Sequence, residues 1–303
     1  MSETLGMETQ PVQVEGATDD ANGQNNSNYG ATSLGDEQRS RVEVTEKRTM
    51  CTPWLFVGLG WLPISVGLSL ALAIIVPYCI AVGLGHVSAG FPYISDTGTE
   101  PPESCIFGQL LNIASALAFA TIYVRYKQVA EYYREVPEGV FKCNKAALVL
   151  GSLAALGMSL VANFQETNMI VFHVIGAMMC FGLGFIYGLL MSWISYKLSP
   201  QHCTVAMYRA RLALSLVAML CLVTTLLFGG LANSQWKGED LRKWLPEDGG
   251  FGLHVASTVS EWIMAIAFLF YFFSYIKDFQ KVELAAEVRR CQRLLNVTCD
   301  PNA

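Results

Sequence analysis

Glu261 and His254 are the first residues that raise a question of chemistry. They lie seven positions apart in the apolar run "LHVASTVSEWIMAIAFLFYFF", a spacing that puts both on one face of a helix. An ionisable group in such a run is costly, so it is expected to face a protein interior and to have a partner or a task. Other apolar runs keep polar groups at what reads as the same end: Gln109 and Asn112 on one face, Asn163, then Gln165, Glu166 and His173, with Asp96 and Glu103 in the preceding loop. Three readings stay open for this cluster. It is a hydrogen-bonded plug that fixes helix register, a pocket for a lipid headgroup, small ligand or protons, or a catalytic centre. Imidazole and carboxylate suit zinc with an open water position. Against this, His86, His173 and His254 lie on separate segments with no HExxH-type spacing, and no GxSxG elbow gives Ser95 a partner. No catalytic residue, metal or cofactor is therefore assigned. Histidines beside acids can respond to pH between about 5 and 7, so His173 and His254 are expected either to pair with carboxylates on acidification or to be neutral anchors.

The elements that must position these groups follow from composition. With 52% hydrophobic and 15% charged residues and a mean hydropathy of +0.37, the 303-residue chain reads as a membrane protein. Six windows of about 20 apolar residues can each cross roughly 30 Å of hydrocarbon: about 62–84, 105–124, 146–164, 170–192, 212–231 and 254–276. The fold class is an all-α membrane protein, a six-transmembrane-helix bundle, because irregular backbone cannot face lipid. Residues 1–50 read as a disordered acidic tail, 51–280 as the transmembrane domain and 281–303 as a second tail. The first tail holds nine acids and four bases and the remainder sixteen of each, so no basic nucleic-acid surface is expected. A cleavable signal peptide is not expected, since the first apolar run begins beyond residue 50.

Lysine and arginine set the orientation. The opening tail has four, loop 85–104 none, 125–145 five, the turn near 165 none, 197–211 three, 232–253 three among four acids, and the last tail five. Both termini are expected in the cytosol and the loop after the first helix in the lumen. The sequons at Asn25 and Asn296 would then escape glycosylation. Cysteines show no disulfide framework, and Cys51, Cys143, Cys203 and Cys291 are candidate acylation sites. Pro77 predicts a kink, Trp54 and Trp61 an aromatic belt, and Gly151/Ala155 and Gly184/Gly188 close helix packing. Tyr133 and Val136 frame a tyrosine-x-x-apolar sorting signal on the cytosolic side.

The stretches "PYISDTGTEPPESCIFGQLLNIASALAFATIYVRYKQV", "NKAALVLGSLAALGMSLVANFQET" and "LHVASTVSEWIMAIAFLFYFFSYIKDFQKV" resemble the DNA-damage-regulated autophagy modulator (DRAM) family over about residues 54–284. "IYVRYKQV" and "WLPEDGG" look most like one vertebrate branch of it. The resemblance implies a six-helix protein of lysosomal and endosomal membranes that promotes autophagy, in some members linked to stress-induced cell death, and with no catalytic motif in the sequence the main reading is a non-enzymatic one. Partners would be membrane lipids and autophagy or sorting proteins at the cytosolic face. The family's recurring positions match Asp96, Pro101, Pro102, Asn112, Arg125, Asn163, Phe164, Gln165, His254, Glu261 and Trp262, and no catalytic residue carries over. More remote relatives act in lipid-anchor remodelling and phosphoinositide-kinase regulation, which keeps a lipid-modifying enzyme, transporter or kinase regulator as the alternative. Residues 1–50 have no counterpart in the resemblance.

The loop "GFPYISDTGTEPPESCIF" holds three acids, three prolines and no base. Pro92 and Pro101-Pro102 disfavour helix at Phe91 and Glu100, and Asp96 with Gly98 suits a tight turn with an Asx-type bond. A stiff acidic lid is expected. It can plug the polar cluster or present Asp96 and Glu103 to it.

Overall fold

A computed structural model describes residues 58–132 and 138–283. The two tails, Tyr133 and Val136 of the sorting motif, Trp54, Cys51, Cys291 and both sequons lie outside the described residues. Six long apolar helices account for the bundle: α1 Trp61–Leu84, α2 Glu103–Glu131, α3 Glu138–Asn163, α4 Ile170–Lys197, α5 Val205–Gln235 and α6 Phe251–Phe279. Each of the six expected spans is present, and most are longer than the apolar windows. Helix α5, with 31 residues, is about 46 Å long at 1.5 Å per residue, against roughly 30 Å of hydrocarbon. Hydropathy reports the thickness of the membrane, whereas the helix ends where its caps are. Thr204, for example, accepts from the Met207 N–H and starts α5 a full two turns before the apolar window.

Each helix packs on its neighbours in sequence, and α6 returns to α1, so the six form a ring. Helix α1 runs unbroken through Pro77 and ends at Gly85 in the left-handed region, φ 73°. Helix α4 contains a π-helical turn at Met178–Leu183. Its first two turns, Ile170–Ala177, pack chiefly on α3, and it meets α5 mainly from Gly184 onward. The α3 and α4 backbones approach each other closely at Gly157 and Gly176. A Cβ on Gly157 would lie 2.6 Å from the Cys180 nitrogen and the Gly176 oxygen. The glycines singled out by spacing serve otherwise: Gly151 makes room for the Tyr187 ring and Gly188 for the Ser215 hydroxyl. Many large apolar side chains face outward, as at Val171 and Leu220. The α1–α2 loop, the α3–α4 turn and the α5–α6 loop share one end of the ring, here called the lid face; the opposite end is the far face.

Candidate functional site

The α1–α2 loop folds inward as a lid fastened to α6. The Trp262 indole donates to the Pro92 carbonyl at 2.9 Å, the Tyr93 hydroxyl to Ser257 Oγ at 2.8 Å, and the Ile94 N–H to Glu261 Oε2 at 2.9 Å. Phe91 takes a left-handed φ of 54° just before Pro92, which turns the chain onto the bundle. The tight turn is a 3-10 turn, Asp96–Gly98. Its side-chain bonds come from Thr97 to the Ile94 carbonyl (2.7 Å) and Thr99 to the Asp96 carbonyl (2.9 Å), not from an Asx bond. Gly98 is required for space, since a Cβ there would sit 2.6 Å from the Phe107 ring.

Further fastenings hold the lid's sides. Ser95 Oγ donates to Glu166 Oε2 at 2.6 Å, joining the lid to the α3–α4 turn. His86 Nδ1 lies 2.5 Å from Glu103 Oε1, whose side chain is fully buried at the start of α2. Arg242 of the α5–α6 loop pairs with Glu100. Asp96, Glu166 and Glu261 thus approach one another beneath the lid. Outside the helices, burial and then the negative charges of Glu166 and Glu261 hold the Asp96 carboxyl well above the usual carboxylate range. Burial likewise pushes the Tyr93 phenol up to about 12, and the Arg242 hydrogen bond holds exposed Glu100 below its ordinary value.

The structure divides the ten residues of the expected cluster. Asp96, Glu166 and Glu261 meet under the lid, with Glu103 at its side. Asn112 and Asn163 pair instead with each other, 3.1 Å each way, and with Ser159 across α2 and α3. Gln165 accepts from Asn168 within its own turn. Gln109 does not join Asn112: it is exposed, on the outward row with Ile113, because the interior row of α2 runs through Gly108, Leu111 and Ser115. Of the two roles open to His173 and His254, the contacts are those of anchors and not of partners to carboxylates. His173 Nδ1 lies 2.7 Å from the Phe164 carbonyl, and His254 is stacked on Trp244 at 4.3 Å with Tyr93 edge-on at 5.3 Å. The histidine that meets carboxylates is His86. Its signal was the loop's charge imbalance, which also calls for a base such as Arg242.

Below the lid is a cavity of about 110 Å³ enclosed by α1, α2, α3, α4 and α6. Its walls are apolar, from Leu70 and Phe107 near the lid to Phe272 deep in the bundle. Polar groups lie at its two ends: Ser95, His173 and Glu261 at the lid, Tyr187 and Tyr271 at the bottom. Among the described residues no group of three or more His, Cys, Asp or Glu is arranged to hold a metal ion.

A second polar cluster, not read from the sequence, closes the far face. Arg211 donates to Asp278 Oδ2 at 2.7 Å, to Ser195 Oγ at 2.8 Å and to the Ser274 carbonyl at 2.8 Å. Arg125 donates to Gln128 at 2.6 Å and to the same Asp278 oxygen at 3.3 Å. Both guanidinium groups sit over the Tyr275 ring. The charges had been counted as loop bases for orientation, which hid that they point inward.

The raised Asp96 carboxyl predicts how the lid responds to pH. A carboxylate whose folded value lies above its unfolded value stabilises the folded state fully below the ordinary value of 3.8, and that contribution is lost as pH rises through the folded value. Glu100 works in the opposite sense, but only below its ordinary 4.5. Amides of residues 91–99, corrected for intrinsic exchange, are therefore expected to be better protected at about pH 5 than at about pH 7.5, by at most about tenfold per pH unit for one proton. Asp96→Asn should flatten the profile. An undiminished pH dependence in that variant would contradict the assignment.

Six apolar helices in a ring, with a lidded cavity at its centre, define a multi-pass α-helical membrane protein. A family model described as "Frag1/DRAM/Sfk1/Cwh43P N-terminal domain" matches residues 58–282, and the chain belongs to that family. It is 42% identical over 237 residues to the human DNA damage-regulated autophagy modulator protein 2, covering 77% of this chain and 89% of the relative. Identity to the human modulator protein 1 is 37% over 227 residues, 75% and 93% of the two chains. A Xenopus laevis protein named "Modulator of macroautophagy TMEM150B-A" is 34% identical over 174 residues, 55% and 72% of the two. No solved structure matches.

Proposed function

We propose that this chain is a non-enzymatic protein of lysosomal and late-endosomal membranes that promotes autophagy, with a link to stress-induced cell death. The observation that supports this reading is the 42% identity, across most of both chains, to a protein named as an autophagy modulator. In this reading the lid face is lumenal, both termini are cytosolic, and autophagy or sorting proteins bind at the cytosolic face. An even number of spans puts the two termini on the same side of the membrane, and the excess of basic residues in the loops on that side supports the cytosol as their location.

Loss of the protein is expected to lower lysosome-dependent turnover of a lipidated autophagosome marker, and re-expression to restore it. Terminal tags should be reached by antibody after selective permeabilisation of the plasma membrane, while a tag in the lid should not. Unchanged turnover after verified loss would refute the role, and a protected terminus the orientation.

The cavity favours a second reading, a lipid-handling protein. Its apolar walls and single ionisable end suit an amphiphile taken from the surrounding membrane.

A further inference from the structure

The cavity has one long axis and one ionisable end. Along α4 it runs from His173 to Tyr187, a rise of about 21 Å at 1.5 Å per residue. Over that length the walls are leucine, isoleucine, alanine, methionine and phenylalanine, which offer water almost none of the polar partners that hold it in a buried site. Its volume of about 110 Å³ is of the order of the engineered apolar cavity, ~150 Å³, that takes up benzene. A narrow hydrocarbon chain is the occupant this shape suits.

A route in from the membrane lies between α4 and α6. The first two turns of α4 pack on α3, and the space toward α6 is bridged by side chains, with the Phe181 and Phe268 rings 5.9 Å apart. Phe181 belongs to the π-helical turn, which contains no fully buried residue, and both rings line the cavity. Rotation of two rings is a smaller change than separation of two backbones.

The polar end decides the headgroup. Glu261 holds the Ile94 N–H with one oxygen, lines the cavity, and is only partly buried. Glu166 lies close enough to Glu261 to add its negative charge. The bases near this end are already engaged: Arg242 of the α5–α6 loop by Glu100 and Asp240 at the outer rim, His86 by Glu103, and His173, which lines the cavity, by the Phe164 carbonyl. A fatty-acid carboxylate or a phosphate at this end would meet like charge with little water to screen it. An ammonium would meet a carboxylate and the Ser95 hydroxyl, and each charge would favour the ionised form of the other.

We propose that the cavity binds the single hydrocarbon chain of a long-chain amine, with the ammonium seated at Glu261 beneath the lid. This assignment rests on the lipid-handling reading and names its ligand class.

The test uses the full chain in phosphatidylcholine vesicles with two photoreactive probes that share one tail: a sphingosine analogue and the matching fatty acid. The amine is expected to label cavity residues such as Met158, Phe181 and Phe268, to be competed by unlabelled sphingosine, and to be preferred over the acid. Glu261→Gln should reduce that preference by about tenfold, the scale of one hydrogen bond to a charged group. Ala265→Phe, which fills the cavity beside Glu261, should remove labelling by both probes while keeping the parent melting temperature. If Glu261→Gln does not fold, the amine-to-acid ratio on the parent protein decides. Equal labelling of the cavity by amine and acid overturns the amine assignment and leaves lipid handling standing. Labelling that misses the cavity, or that survives Ala265→Phe, overturns both.

Discussion

Asp278→Ala is expected to abolish accumulation of the folded protein. Asp278 is the single carboxylate shared by Arg211 at 2.7 Å and Arg125 at 3.3 Å, and the two arginine side chains are 0% and 2% exposed. Removing it leaves both guanidinium charges buried, the situation that costs about 3–5 kcal/mol when one member of a buried ion pair is lost. Domain stability is about 5–15 kcal/mol, so most of the margin goes. Size-exclusion profiles and melting temperatures in detergent measure the loss. The companion experiment replaces Arg125, Arg211 and Asp278 together by apolar residues of similar size, which often restores stability when the pair serves packing alone. A parental melting temperature for Asp278→Ala would show that the charges are solvated, contrary to the burial seen here.

Gly157→Leu is the second large effect. The atoms facing a new Cβ are the Cys180 nitrogen and the Gly176 oxygen at 2.6 Å, and backbone cannot swing aside as a side chain can. Helices α3 and α4 must separate, at an expected cost of about 1–3 kcal/mol or more. The control is Gly230→Ala in α5, where no atom lies within 4 Å of the new carbon. That change should be neutral or stabilising by up to about 1 kcal/mol, through the unfolded chain. Similar melting temperatures for the two variants would mean that the α3–α4 crossing is looser than described.

What could be read from the chain divides along physical lines. The six spans were legible because a helix in hydrocarbon satisfies its own backbone, so mean hydropathy alone reveals it. The absence of helix at Phe91 and Glu100 was legible from Pro92 and Pro101-Pro102, since proline acts locally. Gln109 was misplaced because the three-residue spacing to Asn112 fixes a shared side of the helix only loosely, and the interior row of α2 is set by Gly108 and Leu111 packing on neighbours. Which of their two roles the histidines take was not legible for a related reason. Proximity in depth does not specify direction, and stacking on Trp244 satisfies His254 without any acid. Arg125 and Arg211 stayed hidden because a base near a helix end looks the same in sequence whether it reaches water or turns inward toward Asp278.

The lid's attachments also bear on the order of synthesis. Tyr93, Ile94 and Pro92 find their partners in Ser257, Glu261 and Trp262, which leave the ribosome 164 to 170 residues later. Arg125 waits 153 residues for Asp278 at the other end of the ring. Both ends of the bundle therefore stay unfinished until the last helix is inserted, with polar groups of the lid and of α2 lacking their final bonds. A nascent chain that stalls before α6 presents those unmatched groups to the machinery that surveys new membrane proteins, so the last helix acts as the fold's own certificate of completion.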